Sequence, residues 1–81
     1  MTYKVKLFAV LKDHAGHDIW SYTSAGPLTA RQLLTAFFEA FPAAAGVRQV
    51  TRLAVNQAFC TRDQELAPSD ELAMIPPVSG G

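Results

Sequence analysis

Along residues 3–11 the run YKVKLFAVL places Tyr3, Val5, Leu7, Ala9 and Leu11 on one parity and Lys4 and Lys6 on the other. That period of two predicts a half-buried strand. Phe8 and Val10 break the alternation by putting apolar groups on the lysine face, so Phe8 is expected to stand outside the core. A polar stretch containing Gly16 follows, and residues 18–23 (DIWSYT) are predicted to form a second strand, in a hairpin with the first, with Trp20 and Tyr22 on one face. After Gly26 and Pro27, Thr29 and Gln32 have the spacing of a capping box, and Leu28 and Leu33 that of a hydrophobic staple. Leu33, Leu34, Phe37, Phe38 and Phe41 then recur at helical spacing, an apolar stripe that predicts a helix packed on a sheet and stopped by Pro42. Such a stripe is read as core rather than as a cofactor box. Residues 43–46 read as a loop. Residues 52–55 are predicted as a strand, Asn56-Gln57 as a turn, 58–61 as a strand and 65–70 as a turn around Pro68, Ser69 and Asp70. Residues 71–75 form the last predicted strand, with Leu72 and Met74 on one side and Ala73 and Ile75 on the other. Pro76 and Pro77 cannot donate a ladder hydrogen bond and favour an extended conformation. The element order predicts an α+β fold, a mixed sheet packed on one main helix. The expected division is a domain at residues 1–75 and an extended Pro-Pro-Val-Ser-Gly-Gly tail at 76–81.

Composition narrows the classes. An 81-residue chain makes one domain with one modest core, and 49 % hydrophobic against 17 % charged residues predicts that it packs. Seven basic and seven acidic residues leave nothing in the net charge to draw the chain to nucleic acid or to an anionic membrane. Cys60 stands alone, which fits a reducing compartment. Lys4, Lys6 and Lys12 interrupt the apolar stretch near the N-terminus, so neither a signal peptide nor a membrane span is expected, and the location expected is the cytoplasm.

Most candidate chemistry fails on inspection. Gly16, Gly26 and Gly46 are isolated and form no phosphate loop. His14 and His17 share an HxxH spacing beside Asp13 and Asp18, but a third and fourth metal ligand are wanting, and a solvated loop is the plainer reading. Cys60 lies within a strand pattern and reads as a small apolar packer. The ending PPVSGG is different. Gly80 and Gly81 lack Cβ atoms, so a carboxylate on Gly81 can be threaded down a channel that rejects bulkier residues. With a pKa of about 3.3 to 3.7 that carboxylate is an anion at neutral pH and must be activated, for instance as an acyl adenylate, before its carbonyl is attacked. The alternative is a terminus without a role.

From KVKLFAVLKDHAG through LTARQLL and LAVNQ to SDELAMIPPVSGG, the whole chain resembles the small sulfur-carrier subunits of molybdopterin synthase. An acidic turn, a short apolar strand, Pro-Pro-Val, a small residue and Gly-Gly together make the ending specific. It departs from commoner members at Ser69, where glycine is frequent, and at Ile75, where an aromatic residue is frequent. The resemblance implies a ubiquitin-like β-grasp fold and a carrier with no catalytic machinery of its own. It implies that an E1-like adenylating enzyme, consuming ATP and Mg²⁺, activates Gly81. A persulfide sulfur donor then converts Gly81 to a thiocarboxylate, and the tail of Pro76, Pro77, Val78, Ser79 and Gly80 enters the large catalytic synthase subunit. There sulfur passes to a cyclic pterin phosphate precursor to form the molybdopterin dithiolene. This chain would bind no cofactor or metal itself. The resemblance also matches Phe8, Phe59 and Ile75, the apolar residues that parity puts out of phase with the core, to an interface on which partners dock. Carriers for thiamine or tungsten-cofactor synthesis share such a tail. A ubiquitin-like modifier shares its adenylate but joins Gly81 to a lysine, and a plain interaction module would make no use of it.

Overall fold

The computed structural model describes residues 1–76, and in it the opening alternation lasts six residues. Strand β1 (Thr2–Leu7) buries Tyr3, Val5 and Leu7 and exposes Thr2, Lys4 and Lys6. The strand expected to reach Leu11 stops there because Ala9 turns the backbone to φ 51°, and helix α1 (Ala9–Ala15) follows. Leu11 and Ala15, four residues apart, face the core, and Gly16 closes the helix at φ 77°, the left-handed geometry glycine adopts without strain. That spacing and that glycine were the signal for a helix in a stretch read as strand end and loop.

Strand β2 (Ile19–Thr23) pairs antiparallel with β1, setting Val5 opposite Trp20 and Lys6 opposite Ile19. The capping box forms as expected: the Gln32 amide donates to Thr29 Oγ1 at 3.3 Å and the Thr29 amide donates to Gln32 Oε1 at 2.9 Å. Helix α2 (Ala30–Ala40) follows, burying Leu33, Leu34, Phe37 and Phe38 against the sheet. Trp20 meets Phe37 edge-on at 5.1 Å and stacks on Tyr22 at 5.3 Å, so the aromatic stripe is core. Residues 43–46 belong to a 3₁₀ segment (Pro42–Val50) rather than a loop, because Ala44 and Val47 pack inward and the Thr51 hydroxyl donates to the Val47 carbonyl at 2.7 Å.

Strand β4 (Arg52–Val55) and strand β5 (Ala58–Phe59) form a hairpin across Asn56 and Gln57, both at positive φ, 52° and 70°. The second of these strands is shorter than the expected 58–61. Within the expected 65–70 turn, strand β6 (Glu65–Leu66) pairs with strand β3 (Leu28–Thr29), a two-residue ladder ahead of α2. Strand β7 (Leu72–Ile75) lies between β1, to which it is parallel, and β4, to which it is antiparallel. The order β2-β1-β7-β4-β5 is a mixed sheet with α2 on one face, the β-grasp arrangement. No helix among the described residues is long and apolar enough to cross a membrane.

Candidate functional site

One face of the sheet is covered by α2, and among the described residues nothing covers the other. On the uncovered face, register aligns Arg52 with Ile75, and Ala54 with both Ala73 and Phe59. Lys6 lies across from Ala73 on the other side of β7. Phe8, in extended geometry at φ −129° and ψ 152°, caps the start of α1 and is 47 % exposed. Phe59 is 52 % exposed, and Ile75 is half-buried.

These three residues, singled out separately by parity, line one shallow hollow of about 260 Å³ with Ala54 and Ala73 beneath them and Lys6, Gln57 and Glu71 completing it. Small residues at the floor and large ones at the rim make a shallow apolar socket. Its size falls below the roughly 300–1,000 Å³ of small-molecule sites. The positive φ of Ala9 positions Phe8: an L-residue there costs about 1–2 kcal/mol, and it swings the chain into α1 while leaving the phenyl ring outside. Exposed apolar surface continues from Phe8 to Ile19, 49 % exposed, across a second hollow that also includes Lys12 and Asp18. Reading β1 alone missed Ile19. Its pairing with Lys6 on the uncovered face identifies it.

A network outside the hollow fixes how β7 enters the sheet. The Asn56 amide side chain donates to Asp70 Oδ1 at 3.1 Å, while its carbonyl oxygen accepts from the Glu71 amide at 2.9 Å. Asp70 Oδ2 in turn accepts from the Ala67 amide at 2.8 Å. The acidic turn is thereby tied to the Asn56-Gln57 turn, and the register of β7 follows from both. β7 delivers the chain to Pro76, which is buried at the end of the strand beside Ile75. The remaining tail positions named from sequence, Pro77, Val78, Ser79, Gly80 and Gly81, lie outside the described residues.

The other candidates sit elsewhere. Cys60 packs against the core with its thiol toward the Leu53 carbonyl at 3.5 Å, and burial pushes that thiol up from its ordinary value, the opposite of what a nucleophile needs. His14 and His17 are exposed near the end of α1, and no group of three or more His, Cys, Asp or Glu able to hold a metal occurs among the described residues.

Known proteins resemble this chain in fold and sequence. Residues 5–81 match the ThiS family. The chain is 37 % identical over 82 residues, 98 % of its length and 95 % of the relative's, to the molybdopterin synthase sulfur carrier subunit of Dictyostelium discoideum. SAMP1, the small archaeal modifier protein 1 of Haloferax volcanii, superposes with a TM-score of 0.83 at 30 % identity, each chain covered completely. Its fold is also that of a protein in the complex of subunits 1 and 2 of molybdopterin-converting factor from Helicobacter pylori, at a TM-score of 0.68 and 20 % identity with both chains covered completely. With the match spanning all but the first four residues, this chain belongs to the ThiS family.

Proposed function

We propose that this chain is the sulfur carrier subunit of a molybdopterin synthase, with Gly81 as the residue that bears the sulfur. The observation that carries this reading is the placement of Pro76 at the end of a central strand, beside the uncovered hollow of Phe8, Phe59 and Ile75. A partner seated on that hollow lies next to the point from which the chain continues toward Gly81. The sulfur carrier subunit of Dictyostelium discoideum, similar over nearly the whole length, supports the same reading.

The chemistry then requires other proteins at each step. A Gly81 carboxylate oxygen attacks the α-phosphorus of ATP on an E1-like adenylating enzyme, pyrophosphate leaves, and an acyl adenylate forms. A persulfide sulfur attacks the acyl carbon and AMP leaves. Cleavage of the resulting sulfur–sulfur bond by a second thiol leaves the thiocarboxylate. The large synthase subunit docks on the hollow, takes in residues 76–81, and directs the sulfur to a cyclic pterin phosphate precursor. Gly80 and Gly81 keep the threaded end slender, and this chain contributes position and sulfur but no acid, base or metal. A reducing cytoplasm keeps the thiocarboxylate intact.

The likeness to SAMP1 favours a second reading, in which the same adenylate is attacked by a lysine amine and Gly81 becomes part of an isopeptide bond. Intact mass after incubation with an E1-like adenylating enzyme, ATP, Mg²⁺ and a persulfide donor separates the two. The carrier reading expects oxygen exchanged for sulfur at Gly81. Lysine-linked conjugates without that exchange would replace it with the modifier reading.

A further inference from the structure

Charge on the uncovered face is divided by position along the strands. At the end where β7 begins, Lys4 and Lys6 share a hollow with Asp70 and Glu71, two cations offset by two acids. At the end where β7 delivers Pro76, cations dominate. Lys6 and Lys12 line the hollow beside Phe8, where Asp18 is the carboxylate, and Arg52 stands opposite Ile75 on β4. With Glu71, which lines the hollow of Phe8, Phe59 and Ile75 beside Lys6, that makes three cations to two carboxylates around the apolar residues. Arg31–Asp63, at 3.4 Å, is the salt bridge among the described residues, and none of these three cations belongs to it.

Arg52 is also held in place. Its guanidinium carbon lies 3.9 Å from the centroid of the Phe59 ring, so the cation stacks on the ring at the rim of the hollow. A guanidinium stacked by its face keeps the edge that bears its paired N–H donors able to bond a carboxylate, and Arg52 is exposed. Lys6 sits two strands away, on the other side of β7, a lateral separation of about 10 Å from strand spacing alone. An apolar partner face lowered onto the socket would desolvate both cations, and a desolvated cation without a counter-charge is costly.

We propose that the surface docking here is an apolar face of the large synthase subunit bearing at least two carboxylates, one paired with Arg52 and one with Lys6, on either side of the mouth that receives the tail. This rests on the carrier reading and names the chemistry of its partner. The apolar socket supplies affinity. The two cations set the rotation of the carrier on its partner, so that the chain beyond Pro76 points into the mouth, and they steer the encounter.

The experiment is titration of the large synthase subunit from the same organism with the wild-type chain and with Lys6→Gln, Arg52→Gln, Arg52→Lys and Phe8→Ala, at several salt concentrations. Lys6→Gln and Arg52→Gln are each expected to raise Kd by about 5- to 30-fold and to flatten its salt dependence with unchanged melting. Arg52→Lys should keep the salt dependence and lose part of the affinity, and Phe8→Ala should lose affinity with the salt dependence intact. An Arg52→Glu carrier should be rescued by a lysine in place of the facing carboxylate. Wild-type affinity and salt dependence in both glutamine variants overturn the carboxylate pairing and leave the carrier reading standing. Absence of any binding by the wild-type chain overturns both.

Discussion

The two faces of the five-stranded sheet are built from the same strands, by alternate residues, and differ in what covers them. On the inner face Tyr3, Val5, Leu7, Leu53, Leu72 and Met74 are sealed by α2 through Leu33, Leu34 and Phe37. On the outer face Phe8, Ile19, Phe59 and Ile75 are of similar apolar character, yet nothing in the chain's described residues covers them. An 81-residue domain has one helix of useful length to spend on burial, and it lies inside. Apolar surface left outside does not stabilise the fold. The contrast teaches that equal hydrophobicity serves stability on one face and, in the carrier reading, recognition on the other, and that strand parity decides which.

Truncation should separate the faces most sharply. Phe37→Ala on the inner side removes a ring packed against Trp20, Phe38 and Phe41 and is expected to cost about 3–5 kcal/mol, much of the stability of a small domain, measured by urea unfolding. A small loss there would break the comparison. Phe8→Ala on the outer side should shift stability by no more than about 0.5 kcal/mol while weakening the large subunit's binding by about 10- to 100-fold, read by calorimetric titration. Asn56→Ala, which removes its two side-chain bonds to the acidic turn, should cost about 1–2 kcal/mol in thermal unfolding and loosen amide-exchange protection of β7. The smallest change sharpens the account from the opposite direction. Gln57→Gly, at φ 70°, relieves a left-handed strain and should raise stability by up to about 1 kcal/mol in thermal unfolding.

The parts of the fold legible in the sequence were those with a local physical signature. Thr29 and Gln32 announce a helix start because their side chains serve adjacent backbone amides, and the stripe from Leu33 to Phe41 announces the buried side because it matches the helical period. Parity similarly exposed Phe8, Phe59 and Ile75 as out of phase, although only the sheet order brings residues so far apart in sequence to one hollow. What escaped was decided by tertiary context. Nothing about Ala9 advertises a positive φ, so the strand was carried through to Leu11 when the chain turns into α1 after Phe8. The β3–β6 ladder is two residues long and has no periodicity to detect. Ile19 was invisible as a surface residue until its pairing with Lys6 placed it.

The central claim is that Gly81 carries one sulfur to a partner seated on the outer face. A single-turnover transfer tests it most directly: the chain bearing a Gly81 thiocarboxylate is mixed with the large synthase subunit and the cyclic pterin phosphate precursor, and its intact mass is followed with time. The account predicts that the Gly81 thiocarboxylate reverts to a carboxylate as pterin dithiolene forms, and that Phe8→Ala slows this reversion at limiting partner. A thiocarboxylate that persists through the incubation, or that is consumed only into lysine conjugates, would contradict it.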